Sequence, residues 1–318
     1  MRRAFAIGLA LSAAAVSCGA ASDDLVNDGE ERVANEAVSY GPLLARQVAR
    51  VRLWPELAPC ETNASRGRFV FDGAAGAWRR RDVDCPELMV FAPAEPKSKT
   101  LLVCLPGGGY NSQHMGTVPV LGKLALDSGR FFAVLHYRIP RRPNRPIHAA
   151  PREDMARAVR WLRSHAAAYG WDGEAIGTVG FSAGGNLSVL AAVSSQDRLY
   201  EPVDGLDAVS PHLNFAAAVF PAYLLEDGAT GRNANRGDGA KLLPEFKFDA
   251  KTPPMLLLHG DDDFYSPMGS VRLYEELHRR KIPAQLMVYS GASHGLNDKV
   301  NVRGWETSVF DWLTSRGF

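Results

Sequence analysis

Unbroken apolar runs alternate with amphipathic stretches along most of this chain. Leu101–Leu105 is one such run, and Phe131 to Tyr137 is a second, interrupted only by His136. Ala175–Phe181, Phe215–Phe220, Met255–Leu258 and Gln285–Tyr289 are read as further strands. Runs of this kind predict strands buried on both faces, as in a parallel sheet. Between them lie helical patterns. Glu153 to Tyr169 sets Met155, Ala158, Val159 and Leu162 on one face, with Glu153 and Asp154 at its start and Gly170 as its stop. Further helices are predicted over Ala183–Ser194, Val271–Arg280 and Trp305–Leu313. This alternation means βαβ units with right-handed crossovers. Nearer the N-terminus, Phe69–Phe71 and Leu88–Phe91 read as short strands punctuated by Asp72-Gly73 and Cys85-Pro86. Leu224 to Thr252 breaks the pattern and is expected to be a loop insertion over one end of the sheet. Asp238 and the Arg232–Arg236 stretch lie in it and read as solvated loop.

The first residues obey different rules. Arg2 and Arg3 precede an apolar run, Ala4–Val16, and small residues follow at Ser17, Cys18, Gly19 and Ala20. That three-part pattern is an export signal, and its run is too short to span a bilayer. Two exits are open: cleavage after Ala20, or a lipoprotein box with Cys18 as the acylated residue and Ala15 where such boxes prefer Leu. Residues 1–20 are thus assigned to a signal, 21–50 to a polar linker with a weak helix, and 51–318 to one domain carrying the 224–252 insertion. The product would be periplasmic or extracellular. There Cys60 and Cys85, which flank a plausible strand pair, have the chance to form a disulfide, while Cys104 reads as a buried thiol.

Charge narrows the function. The 318 residues carry 36 Lys+Arg against 35 Asp+Glu, so no basic surface points to a nucleic acid. Losing Arg2 and Arg3 leaves 34 basic residues and a net charge of −1. No Cys-x-x-Cys or Cys/His metal spacing occurs.

The sharpest motif is Gly180-Phe181-Ser182-Ala183-Gly184-Gly185, between a predicted strand and a predicted helix. This is a nucleophile elbow: the tight turn needs small neighbours and lifts the serine hydroxyl clear of the sheet. A serine needs a base. His294, in Ser293-His294-Gly295 after the last strand, stands where the third member falls in the order Ser, acid, His. His114 is the competitor because it follows the glycine loop. His136 and His259 read as packed or locally bonded residues. The acid comes from Asp261-Asp262-Asp263. The pattern His-Gly-x-x-Asp-x-x-x-Pro, from His259 to Pro267, selects Asp263, with Asp262 as the fallback. Gly107-Gly108-Gly109 follows a strand, and with Ala183 after the serine it offers backbone donors for an oxyanion, from Gly108, Gly109 and Ala183. A phosphate loop is disfavoured because no Gly-Lys-Ser/Thr follows. This chemistry calls for no cofactor and no metal.

With Leu53-Trp54-Pro55, Pro106-Gly107-Gly108-Gly109-Tyr110 and Tyr137-Arg138, these motifs stand in the order of a known superfamily. From about residue 50 to 318 the chain resembles the α/β-hydrolases. Within them it resembles secreted bacterial esterases related to acetyl-xylan esterases and the hormone-sensitive-lipase-like group. Pro106 stands where the lipase-like group usually has the His of His-Gly-Gly-Gly, which favours the acetyl-xylan-esterase-like branch. The resemblance implies a mostly parallel sheet of about eight strands with helices on both faces. It also implies a Ser182–His294–Asp263 triad that removes acetyl or other small acyl groups from a small-molecule or polysaccharide ester such as xylan. Two alternatives stand beside it: a serine peptidase of the prolyl-oligopeptidase kind, and a non-catalytic binding protein that keeps the fold. Trp54, Tyr110 and Tyr223 are candidates for stacking on a sugar, and read more simply as packing residues.

Overall fold

The computed structural model describes residues 35, 36, 38–226, 241–296 and 302–318. The segment read as an export signal, 1–20 with Cys18, and Arg232, Arg236 and Asp238 of the expected insertion lie outside them.

Among the described residues the central sheet has eight strands: β1 (Gln47–Arg52), β4 (Glu87–Phe91), β7 (Phe131–His136), β5 (Leu101–Leu105), β8 (Ile176–Phe181), β9 (Phe215–Val219), β10 (Met255–Gly260) and β11 (Ala284–Tyr289), in that spatial order. β1, β4 and β7 pair antiparallel, and every pairing from β7 to β11 is parallel. The pattern of exposure explains the pattern of sequence. Every residue of β4, β5, β7, β8, β9 and β10 is buried, whereas the edge strands β1 and β11 are half-exposed. Interior strands of a covered sheet are largely apolar because both faces meet helices, and the polar residues among them, Glu87, His136, Thr178 and His259, are buried with hydrogen-bond partners.

Helices cover both faces. Residues of α2 (Ala149–Tyr169), α3 (Ala183–Val193) and α4 (Met268–Arg279) join one apolar cluster, including Met155, Leu162, Leu187, Leu190, Leu273 and Leu277. Residues of α1 (Thr117–Asp127) and α5 (Trp305–Ser315) join the other, including Val118, Leu121, Trp305, Val309 and Trp312. A second sheet of β2 (Arg66–Asp72), β3 (Ala77–Val83) and β6 (Gln113–His114) is antiparallel. The chain leaves β5 toward β7 on one side, and β8 lies on the other side of β5. Such a reversal opens a crevice at the carboxyl ends of the strands.

Four expectations are corrected. β1 begins at Gln47, inside the segment read as linker and entry, and its arginines suit a half-exposed edge. α2 begins at Ala149 and carries Pro151 in its first turn, where proline is tolerated. Glu153 and Asp154 are therefore not acids at a helix start but buried partners of Arg138. Gly170, in the left-handed region at φ 95°, does end the helix. Cys60 and Cys85 are both free: one is exposed on a turn, the other buried where its thiol is pushed up by burial. Cys104 is a free, buried thiol, also raised by burial. No helix among the described residues is long and apolar enough to cross a membrane.

Candidate active site

The parallel strands deliver the sequence-predicted residues to one edge. Ser182 follows β8, the glycine loop follows β5, Asp263 follows β10 and His294 follows β11. Ser182 has φ 53° and ψ −116°, a conformation that non-glycine residues rarely adopt. The strain is fixed by the surroundings. The Ser182 N–H donates to the Val219 carbonyl at 3.0 Å, and its own carbonyl accepts from Asn186 and Ala222. α3 starts at once and packs against β5. A Cβ on Gly184 would stand 2.0 Å from the Leu105 carbonyl oxygen, so only glycine fits this crossing.

His294 Nε2 lies 2.8 Å from Ser182 Oγ, and its Nδ1 lies 2.8 Å from Asp263 Oδ2. Aromatic rings of Phe220, Phe264 and Tyr265 surround the imidazole. Asp263 is buried and accepts the Tyr265 N–H at 2.8 Å. Burial pushes the Asp263 carboxyl up, but hydrogen bonds from His259 and His294 outweigh it and hold the group below the usual carboxylate range. The arrangement suits an acid that stays ionised while it orients a histidine.

The neighbouring acids do other work. Asp261 accepts the Gly291 N–H at 2.5 Å and Asp262 donates its N–H to the Ala292 carbonyl, so both tie the two loops together. Asp262, the fallback, is exposed and is not the partner of His294. His114 bonds locally, its Nδ1 accepting the Gly116 N–H at 3.3 Å. His136 is a buried residue bonded to the Tyr40 hydroxyl and, at 2.7 Å, to Gln113. His259 bonds locally, as expected, but also stands 3.3 Å from Asp263. Nothing in its strand-end sequence signalled that second contact.

The three carbonyls of the glycine loop are all engaged. Gly107 O accepts from His114, Gly108 O from Asn111 and Ser112, and Gly109 O from Arg141 Nε at 2.9 Å. Among the described residues the Gly108 and Gly109 N–H groups have no acceptor, and Ala183 is the first residue of α3, so its N–H lies outside the helical ladder. A Cβ on Gly108, at φ 136°, would reach 2.1 Å from the Ser112 carbonyl oxygen. The loop is braced beneath by the Tyr137 hydroxyl, which donates to the Pro106 carbonyl. Trp54 and Tyr110 are buried packing residues bonded to Asp154 and Asn186. Tyr223 is half-buried and reaches the loop itself: its hydroxyl would lie 3.4 Å from a Cβ on Gly109.

The solved acetyl ester-xyloside bifunctional hydrolase of Caldicellulosiruptor lactoaceticus superposes with a TM-score of 0.64 at 24% identity, over 87% of this chain and 99% of that one. The fold is that of the α/β-hydrolases. Residues 88–223 match the BD-FAE family. LipM of Mycobacterium tuberculosis, a probable carboxylic ester hydrolase, is 28% identical over 67% of the chain and 50% of its own length. The acetylxylan esterase of Xylanibacter ruminicola is 25% identical over 66% of the chain and 43% of its own. The chain spans about half the length of these curated relatives.

Proposed function

We propose that this α/β-hydrolase is a serine carboxylic-ester hydrolase acting on acetyl and other small acyl esters. One observation carries the reading: a strained serine at the end of β8 shares a hydrogen bond with a histidine whose other nitrogen is held by a buried, ionised carboxylate. His294 takes the Ser182 proton as Oγ attacks the ester carbonyl. Asp263 holds the imidazole tautomer and balances the imidazolium. The negative oxygen of the tetrahedral intermediate meets the N–H groups of Gly108, Gly109 and Ala183, each such donor typically contributing about 3 kcal/mol. His294 then protonates the leaving alkoxide. Water, deprotonated by the same imidazole, releases the acid and restores the serine.

An acetylated polysaccharide such as xylan is the proposed natural substrate. The similarity to the acetylxylan esterase of Xylanibacter ruminicola supports that choice. Ser182→Ala is expected to abolish hydrolysis of p-nitrophenyl acetate and labelling by a fluorophosphonate while the fold persists. Wild-type activity in that variant would overturn the reading. A chain-length series of p-nitrophenyl esters, run beside acetylated xylan and an aminoacyl amide, separates esterase from peptidase.

A further inference from the structure

Four arginines lie between β7 and α2: Arg138, Arg141, Arg142 and Arg145. Three of them are neutralised. Arg138 pairs with Asp154, Glu153 and Glu61, Arg142 with Glu61 and Asp84, and Arg145 with Glu153. Arg141 is different. Its Nε donates to the Gly109 carbonyl at 2.9 Å and one terminal nitrogen to the Tyr223 hydroxyl at 2.6 Å, both neutral acceptors. Its guanidinium carbon stands 5.3 Å from the centre of the Tyr223 ring. Among the described residues no carboxylate pairs with it, and its second terminal nitrogen has no acceptor. The side chain is half-buried.

Its place matters as much as its charge. It grips the carbonyl of Gly109, whose N–H is one of the proposed oxyanion donors. Tyr223 continues from Arg141 toward the base, its ring 5.2 Å from that of Tyr265, which lies 5.3 Å from the ring of His294. A cation partly withdrawn from water and left with neutral partners costs more than a neutral side chain making the same two hydrogen bonds. Holding the loop therefore does not account for the charge, whereas a bound anion would offset it.

We propose that Arg141 is a specificity-determining residue that binds a carboxylate carried by the substrate a few bonds from the scissile ester. The favoured substrates are then half-esters of dicarboxylic acids, or acyl esters of an acidic alcohol such as a uronate-bearing sugar. A planar fork with free N–H groups suits a carboxylate in two-point contact. The inference rests on the ester-hydrolase reading above.

The test is a ratio of kcat/KM values, charged over neutral, for two matched pairs: monomethyl glutarate against methyl valerate, and 3-acetoxybenzoate against phenyl acetate. In wild type at least one ratio is expected to exceed that of Arg141→Gln by about tenfold or more. Arg141→Lys, which keeps a charge without the fork, is expected to fall between. Equal ratios in wild type and Arg141→Gln, for both pairs, overturn the inference while leaving ester hydrolysis intact. If Arg141→Gln does not fold, an Arg141→Lys ratio equal to wild type, with no charged preference in either, overturns it equally. Absence of hydrolysis of all four esters, together with failure of Ser182 to react with a fluorophosphonate, sinks the ester-hydrolase reading itself.

Discussion

His259 sets its Nε2 3.3 Å from the same carboxylate oxygen of Asp263 that His294 engages at 2.8 Å. The ring is wholly buried, with Nδ1 2.8 Å from Ser270 Oγ and Nε2 3.1 Å from the Tyr265 carbonyl. In the neutral ring with its proton on Nε2, Ser270 donates to Nδ1, and the Nε2 proton is shared between Tyr265 and Asp263. In the proposed reaction His259 would act through the acid, as a positioning residue. His259→Gln is expected to lower kcat on a short acyl ester by roughly tenfold, about 1.4 kcal/mol of lost orientation, with a smaller change in KM. His259→Ala should lose more. Steady-state kinetics on variants with matched circular dichroism check this, and unchanged kcat in both would reduce His259 to a packing role.

The backbone of Ser182 offers a separate test. At φ 53° and ψ −116° a residue with a Cβ carries strain on the order of 1–3 kcal/mol. Ser182→Gly relieves it, and Ser182→Ala does not. Both variants should be inactive, but the glycine variant should melt a few degrees above the alanine variant. A glycine variant that melts below the alanine variant would mean that the elbow is not strained at this position.

Acid sensitivity should begin with a histidine rather than a carboxylate. Burial, reinforced by the Arg80 and Arg50 guanidiniums, holds His136 well below its ordinary value of 6.5. The folded state therefore refuses a proton that the unfolded chain accepts. The stability contributed is complete above about pH 6.5 and is lost as pH falls toward the folded value, at up to about 1.4 kcal/mol per pH unit for one proton. His114 and His212, also lowered chiefly by burial, add to the same window. Glu87 enters later. Burial raises its carboxyl, but the charge and hydrogen bond of Arg80, with Arg50 and Arg66, hold it low, so its contribution fades only below its ordinary value of 4.5. Urea titrations from pH 7.5 to 4.5 should show a steady fall, partly flattened in His136→Gln. Identical pH slopes in the two proteins would assign the loss to other groups.

The parts of this site that were legible in the sequence are those whose physics is local. β8 and its elbow announce themselves because a doubly covered strand must be apolar and a tight turn before α3 must be small. Asp263 could be picked from three aspartates by spacing from His259 and Pro267. Features that depend on distant contacts were hidden. β1 reads Gln-Val-Ala-Arg-Val-Arg because a half-exposed edge tolerates charge, so it passed for linker. α1 holds Pro119 and Gly122, poor helix signals. Yet a Cβ on Gly122 would meet Leu43 at 2.6 Å and Phe132 at 2.8 Å, so packing decides that residue. The second contact of His259 and the unpaired charge of Arg141 exist only once the loops have folded back on one another.

Arg138 should prove the most costly single charge to remove. It is buried, with Asp154 at 2.9 Å, Glu153 at 2.6 Å and the carbonyls of Pro59 and Ala150 at 2.7 and 3.1 Å. Asp154 also accepts the Trp54 indole N–H at 2.9 Å, so one ion pair ties the entry segment to α2. Buried pairs gain little net stability, because desolvation opposes attraction, but a broken one strands its partner. Arg138→Met leaves Asp154 without its guanidinium partner and Glu153 with Arg145 alone, at a cost of about 3–5 kcal/mol. Adding Asp154→Asn should recover part of that loss, since the amide needs no counter-charge and can still accept from Trp54. Denaturant midpoints of the two single variants and the double variant measure the coupling. Strictly additive losses would mean that Arg138 and Asp154 are held by their other hydrogen bonds rather than by each other.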